Sequence, residues 1–160
     1  MSVLNMLKDL KTTMPNMITV EKDVLFEADL DTVHRVLLDT ERYPNFIQSI
    51  LSAKVIHKNQ DESEVSFKAK VALFSFEYSI KTTKVSASQI TFEQHKGFFS
   101  VLHGEWRLKE IGNSVEGQYI VHVTLPPLVS GRIVKRAINL YFPNMLNDFK
   151  NEIERSFTKG

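Results

Sequence analysis

Between Ser52 and Leu125 apolar and polar residues alternate with a period of two, and Val, Ile, Phe, Tyr and Thr are frequent. That period belongs to extended strands with one buried face, and it confines the fold to a sheet that is wet on one side and covered on the other. Turn residues break the run at Asn59 to Glu62, near Leu73, at Ser86 to Ser88, at Lys96-Gly97 and at Gly112-Asn113, which predicts six strands. Parity locates one hairpin. Val65, Phe67, Ala69 and Val71 are apolar at odd positions, whereas Phe74, Phe76, Tyr78 and Ile80 are apolar at even ones. A tight turn near Leu73 keeps both sets on the same face. Leu102, Gly104, Trp106 and Leu108 continue that face, and Val115, Gly117, Tyr119, Val121 and Val123 complete it, with Lys, Glu, Arg and Gln opposite.

Such a face needs a cover, and the chain supplies one after Leu125-Pro126-Pro127-Leu128. Val134, Ala137, Ile138, Tyr141, Met145, Phe149 and Ile153 recur every three or four residues, predicting one long amphipathic helix. Pro143 removes a backbone bond from it and is expected to kink its axis. Ahead of the alternating region, Ile18, Val20 and Val24 to Phe26 predict a first strand. Asp29 is placed to cap a helix that carries Val33, Val36 and Leu37 and stops near Asp39-Thr40. Tyr43-Pro44-Asn45-Phe46-Ile47 starts a second short helix ending near Ile50. The expected class is α+β: a curved, seven-stranded antiparallel sheet wrapped around a long C-terminal helix, with two short helices after strand 1. Val3, Leu4, Met6, Leu7 and Leu10 sit at helical spacing before Met14-Pro15-Asn16. Residues 1–15 therefore read as a separate N-terminal amphipathic segment, and residues 16–160 as the domain. That segment either packs on its own domain, or touches a partner or a membrane.

Charge and composition exclude several functions. Twenty basic and 19 acidic residues leave a formal charge of +1, so there is no electrostatic case for nucleic acid. The absence of cysteine excludes disulfides, thiolate chemistry and sulfur-based zinc sites. No apolar run approaches the length of a membrane helix, and the chain reads as cytoplasmic. There is no phosphate-cradling glycine loop, nucleophile elbow or paired metal motif, so no cofactor is expected. His34, His57, His95, His103 and His122 all fall on polar parity, and no buried catalytic base is expected. His103 and Glu105 lie two apart on one strand face, where they either grip a metal ion or, the commoner case, simply face solvent.

The candidate site is the inner layer itself. Phe74, Phe76, Tyr78, Phe92, Leu102, Trp106, Tyr119, Val121, Ile138, Tyr141, Phe142 and Met145 offer more bulk than one thin layer between sheet and helix needs. Any one of them can simply fill the core. Together they favour the wall of a ligand cavity, with Tyr78, Tyr119, Tyr141 and the Trp106 indole as its polar points. No inward-facing polar pair marks an acid–base centre. Gly104 and Gly117, at inward strand positions, permit either a sharp bend or a close approach. Lys96-Gly97-Phe98-Phe99 and Leu125-Pro126-Pro127-Leu128-Val129 carry apolar residues in loops, where they gate a cavity, touch a membrane or pack against the helix start.

Two stretches carry a family resemblance. Leu37-Leu38-Asp39-Thr40-Glu41-Arg42-Tyr43-Pro44-Asn45-Phe46 is similar to a helix followed by an aspartate, a Tyr-Pro pair and an aromatic residue. Tyr141-Phe142-Pro143-Asn144-Met145-Leu146-Asn147-Asp148-Phe149 is similar to a proline-broken terminal helix. With the element order over residues 18–157, they resemble the helix-grip fold of the START-like (SRPBCC) superfamily, the polyketide cyclase/dehydrase and lipid transport group. The small bacterial cyclase-like proteins are nearest, with the ubiquinone-binding branch as a relative. The resemblance implies a cavity between sheet and helix for a lipid, quinone or polyketide-like molecule. The expected function is non-catalytic binding or transport of that molecule. The alternatives are a cyclase or dehydratase using one tyrosine, and a protein- or membrane-interaction module docking through residues 1–15 or the apolar loops.

Overall fold

Asp29 stops the first strand and starts the first helix, because its carboxylate Oδ1 accepts the Thr32 backbone N–H at 2.9 Å. From that point the computed structural model, which describes residues 17–159, builds strand β1 (Met17–Phe26), helix α1 (Leu30–Leu38), a 3₁₀ turn (Thr40–Asn45) and six more strands. These are β2 (Ile50–Lys58), β3 (Glu62–Val71), β4 (Phe74–Ser86), β5 (Gln89–Gly97), β6 (Val101–Ile111) and β7 (Ser114–Thr124). The segment 1–15 lies outside the described residues.

All seven strands form one antiparallel sheet in the order β1-β7-β6-β5-β4-β3-β2. The strands that are adjacent in sequence on either side of α1 are therefore the two sheet edges, and α1 with the 3₁₀ turn spans from one to the other. Register shifts in β2–β3, between Ile50 and Ser52 and between Val55 and His57, and in β4–β5 between Ser79 and Ile80, help to bend the sheet. The hairpin at Leu73 has Val71 opposite Phe74, leaving Ala72 and Leu73 as a two-residue turn with Ala72 at φ 57°. Gly104 and Gly117 are both close approaches. A Cβ on Gly117 would lie 2.7 Å from the Phe26 ring, and one on Gly104 would lie 2.3 Å from the Ile120 carbonyl oxygen.

The terminal helix differs from a single proline-kinked rod. It comprises α2 (Gly131–Arg136), a π turn (Ala137–Tyr141) and α3 (Phe142–Lys159), with the Phe142 N–H donating to the Ala137 carbonyl. Pro143 has no N–H to offer and its ring crowds the preceding turn, so the wide turn just before it accommodates the defect. The second short helix also differs: it is a 3₁₀ turn ending at Asn45 rather than near Ile50. The Tyr43 hydroxyl donates to the Leu37 carbonyl, folding this turn back on the end of α1.

Phe26, Val33, Leu37, Ile47, Val65, Val115 and Ile153 are fully enclosed, tying β1, α1, β3, β7 and α3 into one core. His34, expected on a polar face, is buried; its Nε2 lies 2.7 Å from the Ala87 carbonyl. The β4–β5 turn covers that side of α1, which the helix's own periodicity could not reveal.

Candidate functional site

The inner face of the sheet and the terminal helix do not close completely. Between them is a space of about 90 Å³, walled by side chains from α1, the 3₁₀ turn, β2 to β7, α3 and the π turn. Of the residues nominated from sequence, Tyr78, Phe92, Leu102, Trp106, Tyr119, Val121, Tyr141, Phe142 and Met145 line it. Phe74, Phe76 and Ile138 do not. Phe74 and Phe76 share the face of Tyr78 but lie towards the hairpin tip. There they pack on Phe98, with ring centroids 5.1 and 4.8 Å away. Ile138 falls inside the π turn, where the wider winding shifts the side-chain phase, and it is 45% exposed.

Residues that the sequence reading did not nominate complete the wall: Leu37, Tyr43, Ile47, Ile50, Phe67, Ile80, Thr82, Ile90, Phe99 and Phe149. Phe67, Ile80 and Phe149 lay on inward parity or on the helix stripe and were legible as core. Tyr43 and Ile47 enter only because the 3₁₀ turn tucks under α3; the Tyr43 and Phe149 rings meet edge to face at 5.0 Å. Phe99 is held in place by Gln94, whose side-chain amide donates to the Phe99 carbonyl at 2.8 Å and accepts the Phe99 N–H at 3.1 Å. The loop tip at Leu128 is fully exposed, whereas Leu125 is buried in the core.

Four phenols reach into this apolar space. Burial pushes the Tyr43, Tyr78, Tyr119 and Tyr141 hydroxyls above the usual phenol range, so each is a proton-bearing donor at physiological pH. Tyr43 is committed to the Leu37 carbonyl. The Tyr78 and Tyr141 hydroxyls face one another, and Ser49 lies beside Tyr141. They form the inward polar pair that the sequence reading did not expect, because strand parity and helix phase do not show where a helix crosses a strand. Among the described residues no Asp, Glu, His, Lys or Arg lines the cavity.

A second, polar hollow of about 370 Å³ lies between the end of α1 and the β2–β3 turn, with Asp39, Lys58 and Asp61 among its walls. Thr82 borders both spaces. The outer-face pair His103 and Glu105 is not a metal site in this arrangement. Glu105 accepts from Gln89 Nε2 at 2.6 Å and pairs with Arg107 at 2.9 Å, while His103 packs on His122 with ring centroids 5.0 Å apart. Among the described residues no three potential ligands gather anywhere, and no helix is long and apolar enough to cross a membrane.

Comparison with known proteins agrees with this architecture. The START-like helix-grip fold is shared with solved structures of low identity. The aromatase/cyclase Zhui from Streptomyces sp. R1128 superposes with a TM-score of 0.76 at 18% identity, covering 87% of this chain and 94% of that one. A START superfamily protein from Mycobacterium smegmatis gives 0.74 at 17%, covering 86% and 97%. A STAR-related lipid transfer protein fragment from Xanthomonas axonopodis gives 0.71 at 12%, covering 84% and 85%. No curated protein is similar enough in sequence to count as a relative. The family model for polyketide cyclase/dehydrase and lipid transport matches residues 26–150, most of the chain, and the protein belongs to that family.

Proposed function

We propose that this protein binds or carries an apolar small molecule, of the lipid, quinone or polyketide kind, between the sheet and the terminal helix without transforming it. The observation that carries this reading is the composition of the cavity wall: aliphatic and aromatic side chains with a few hydroxyls, and no carboxylate, imidazole or amine. Such a wall rewards burial, at about 25 cal/mol per Å² before the costs of association. It offers no group able to take a proton near neutral pH, since its phenols are pushed away from that range. The space of about 90 Å³ is smaller than the roughly 300–1,000 Å³ of ordinary ligand pockets. Uptake of anything beyond one ring therefore requires the aromatic wall to part. The π turn and Pro143 provide a weak point in the covering helix for this movement.

The Tyr78–Tyr141 pair supports a second reading, a cyclase or dehydratase in which a phenol donates a proton to a carbonyl oxygen. The two readings part on turnover: a carrier returns its ligand unchanged after prolonged incubation, and an enzyme does not.

The test is native mass spectrometry of the purified protein, followed by organic extraction. One apolar molecule retained per chain supports the carrier, provided that Tyr141→Ala weakens its retention. An empty protein that gains no thermal stability from lipids, quinones or polyphenols refutes it. That result would favour docking through residues 1–15 or an exposed loop such as that of Leu128.

A further inference from the structure

Charge in this fold is sorted by end. The β3–β4 hairpin, the β5–β6 loop and the β7–α2 connection all leave the sheet at the end where β1 begins, since Met17 pairs with Thr124 and the Ser100 N–H donates to the Thr124 carbonyl. The stretches that make this end, residues 65–76, 94–104 and 117–147, hold Lys68, Lys70, Lys96, Arg132, Lys135 and Arg136 and no Asp or Glu. None of these cations forms an ion pair among the described residues; every basic side chain that does lies elsewhere. At or beside the connections of the opposite end sit Glu27, Asp29, Asp31, Asp61, Glu62 and Glu110.

The basic end also presents apolar side chains to solvent. Leu73 and Leu128, at two loop tips, are 94% and 101% exposed, more than any other large apolar residue described, and Ile138 and Leu140 on the π turn are half-exposed. Leu128 is moreover held at φ 75°, in the left-handed region where a side chain strains the backbone. Folding alone gains nothing from an apolar residue presented in this way. Between hairpin and helix lies a hollow of about 200 Å³ with Lys70 and Arg136 on its walls. The one carboxylate there among the described residues, Asp148, accepts the Gln48 N–H at 3.2 Å. Tyr141 and Met145 border this hollow and the apolar cavity alike.

We infer that this end docks on an anionic lipid bilayer, with Leu73 and Leu128 entering the interface and Arg132, Lys135 and Arg136 meeting lipid phosphates. Unpaired cations beside exposed apolar tips are what such a surface attracts, and the acidic far end is repelled by it, which fixes the orientation. A two-fold dimer through this face would set its cations against their own copies. Residues 1–15, with Lys8 and Lys11 against Asp9, bring no compensating charge either. Docking in this way lays the π turn and the helix beside the cavity against the bilayer, so that an apolar molecule passes between the two without crossing water. Docking needs no ligand, and it stands or falls separately from the carrier reading.

Sedimentation of the full chain with vesicles tests this. Vesicles of two parts phosphatidylcholine to one part phosphatidylglycerol should bind the protein, phosphatidylcholine alone should bind it far less, and added salt should weaken the binding. The triple variant Arg132→Gln, Lys135→Gln, Arg136→Gln should lower the partition coefficient roughly tenfold or more. Lys54→Gln, Lys84→Gln, Lys109→Gln removes the same charge from unpaired lysines elsewhere and should lower it less than about threefold. Leu73→Ser with Leu128→Asn should lower it roughly five- to tenfold. The melting temperature should not fall in that variant, because both side chains are exposed and asparagine tolerates the left-handed backbone. Equal losses for the two triple variants overturn the inference. So does binding that survives both the basic and the leucine variants, which would move it to residues 1–15, and so does a folded protein that ignores anionic vesicles, whether monomeric or self-associated.

Discussion

Gly104→Ala is the sharpest perturbation this fold offers, because a single methyl group would test both the sheet's close packing and the cavity's wall. An ideal Cβ there would sit 2.3 Å from the Ile120 carbonyl oxygen on β7 and 2.6 Å from the Phe92 ring. Carbon–oxygen contacts between neighbouring strands normally lie at ~3.3–3.6 Å, so β6 and β7 must part by about 1 Å. Overpacking of this kind costs roughly 1–3 kcal/mol, and a clash with backbone belongs at the upper end. For a domain of this length that is a fall in melting temperature of about 6–12 °C. The Phe92 ring would also be driven towards Tyr119, into a space of only about 90 Å³, so ligand affinity should fall as well. Gly131→Ala is the control: a Cβ there meets nothing within 4 Å, and the residue opens α2. It should leave stability unchanged or slightly improved. Thermal unfolding followed by circular dichroism measures both variants. A Gly104→Ala protein within about 2 °C of wild type, or a Gly131→Ala protein that falls as far, would refute the packing argument.

Two further outcomes follow from the hydrogen bonding. Tyr141→Phe should destabilise the ligand-free protein by about 1 kcal/mol, because it takes from Tyr78 the hydroxyl that faces it; a chemical-denaturation midpoint equal to that of wild type would show that the two phenols do not support one another. Glu154 fastens α3 to the end of β1, accepting from Lys150 Nζ at 2.6 Å and from the Glu27 N–H at 2.8 Å, while Lys150 also donates to the Leu25 carbonyl at 2.6 Å. Burial works to raise the Glu154 carboxyl, but those donors outweigh it and hold the group below its ordinary 4.5. The stabilisation, about 1 kcal/mol or less for so accessible a pair, is complete above pH 4.5 and lost as pH falls through the depressed folded value. Glu154→Gln should therefore lower the melting temperature at pH 7 and flatten its decline below pH 4.5; an unchanged acid slope would remove the clamp from the account.

The sheet was legible because its period of two is imposed by burial on one face. Val65 and Phe67 on β3 and Tyr78 and Ile80 on β4 are buried as their parity requires, and the slip near Leu73 is the two-residue turn. The expectations that changed share a cause. Parity gives the face of a residue but not its position along the strand relative to the covering helix, so Phe74 and Phe76 could not be separated from Tyr78. A helical stripe presumes constant winding, so the π turn that displaces Ile138 is invisible to it. His34 looked polar because its cover comes from the β4–β5 turn, remote in sequence.

Hydrogen-bond partnering is less legible still, because it depends on distances between residues from different elements. Nothing in the sequence shows that Tyr78 faces Tyr141 while Tyr119 stacks on Phe92, although both are tyrosines at inward strand positions. Thr82 is the instructive case. It continues the even parity of Tyr78 and Ile80 and is buried as they are, although its side chain ends in a hydroxyl. A polar side chain at an inward position has two physical outcomes: it finds a partner in the fold, or it faces a space where a ligand can provide one. Thr82 borders both the apolar cavity and the polar hollow beside α1. Residues that break an apolar alternation without breaking the strand are thus where a ligand's own polar groups should first be sought.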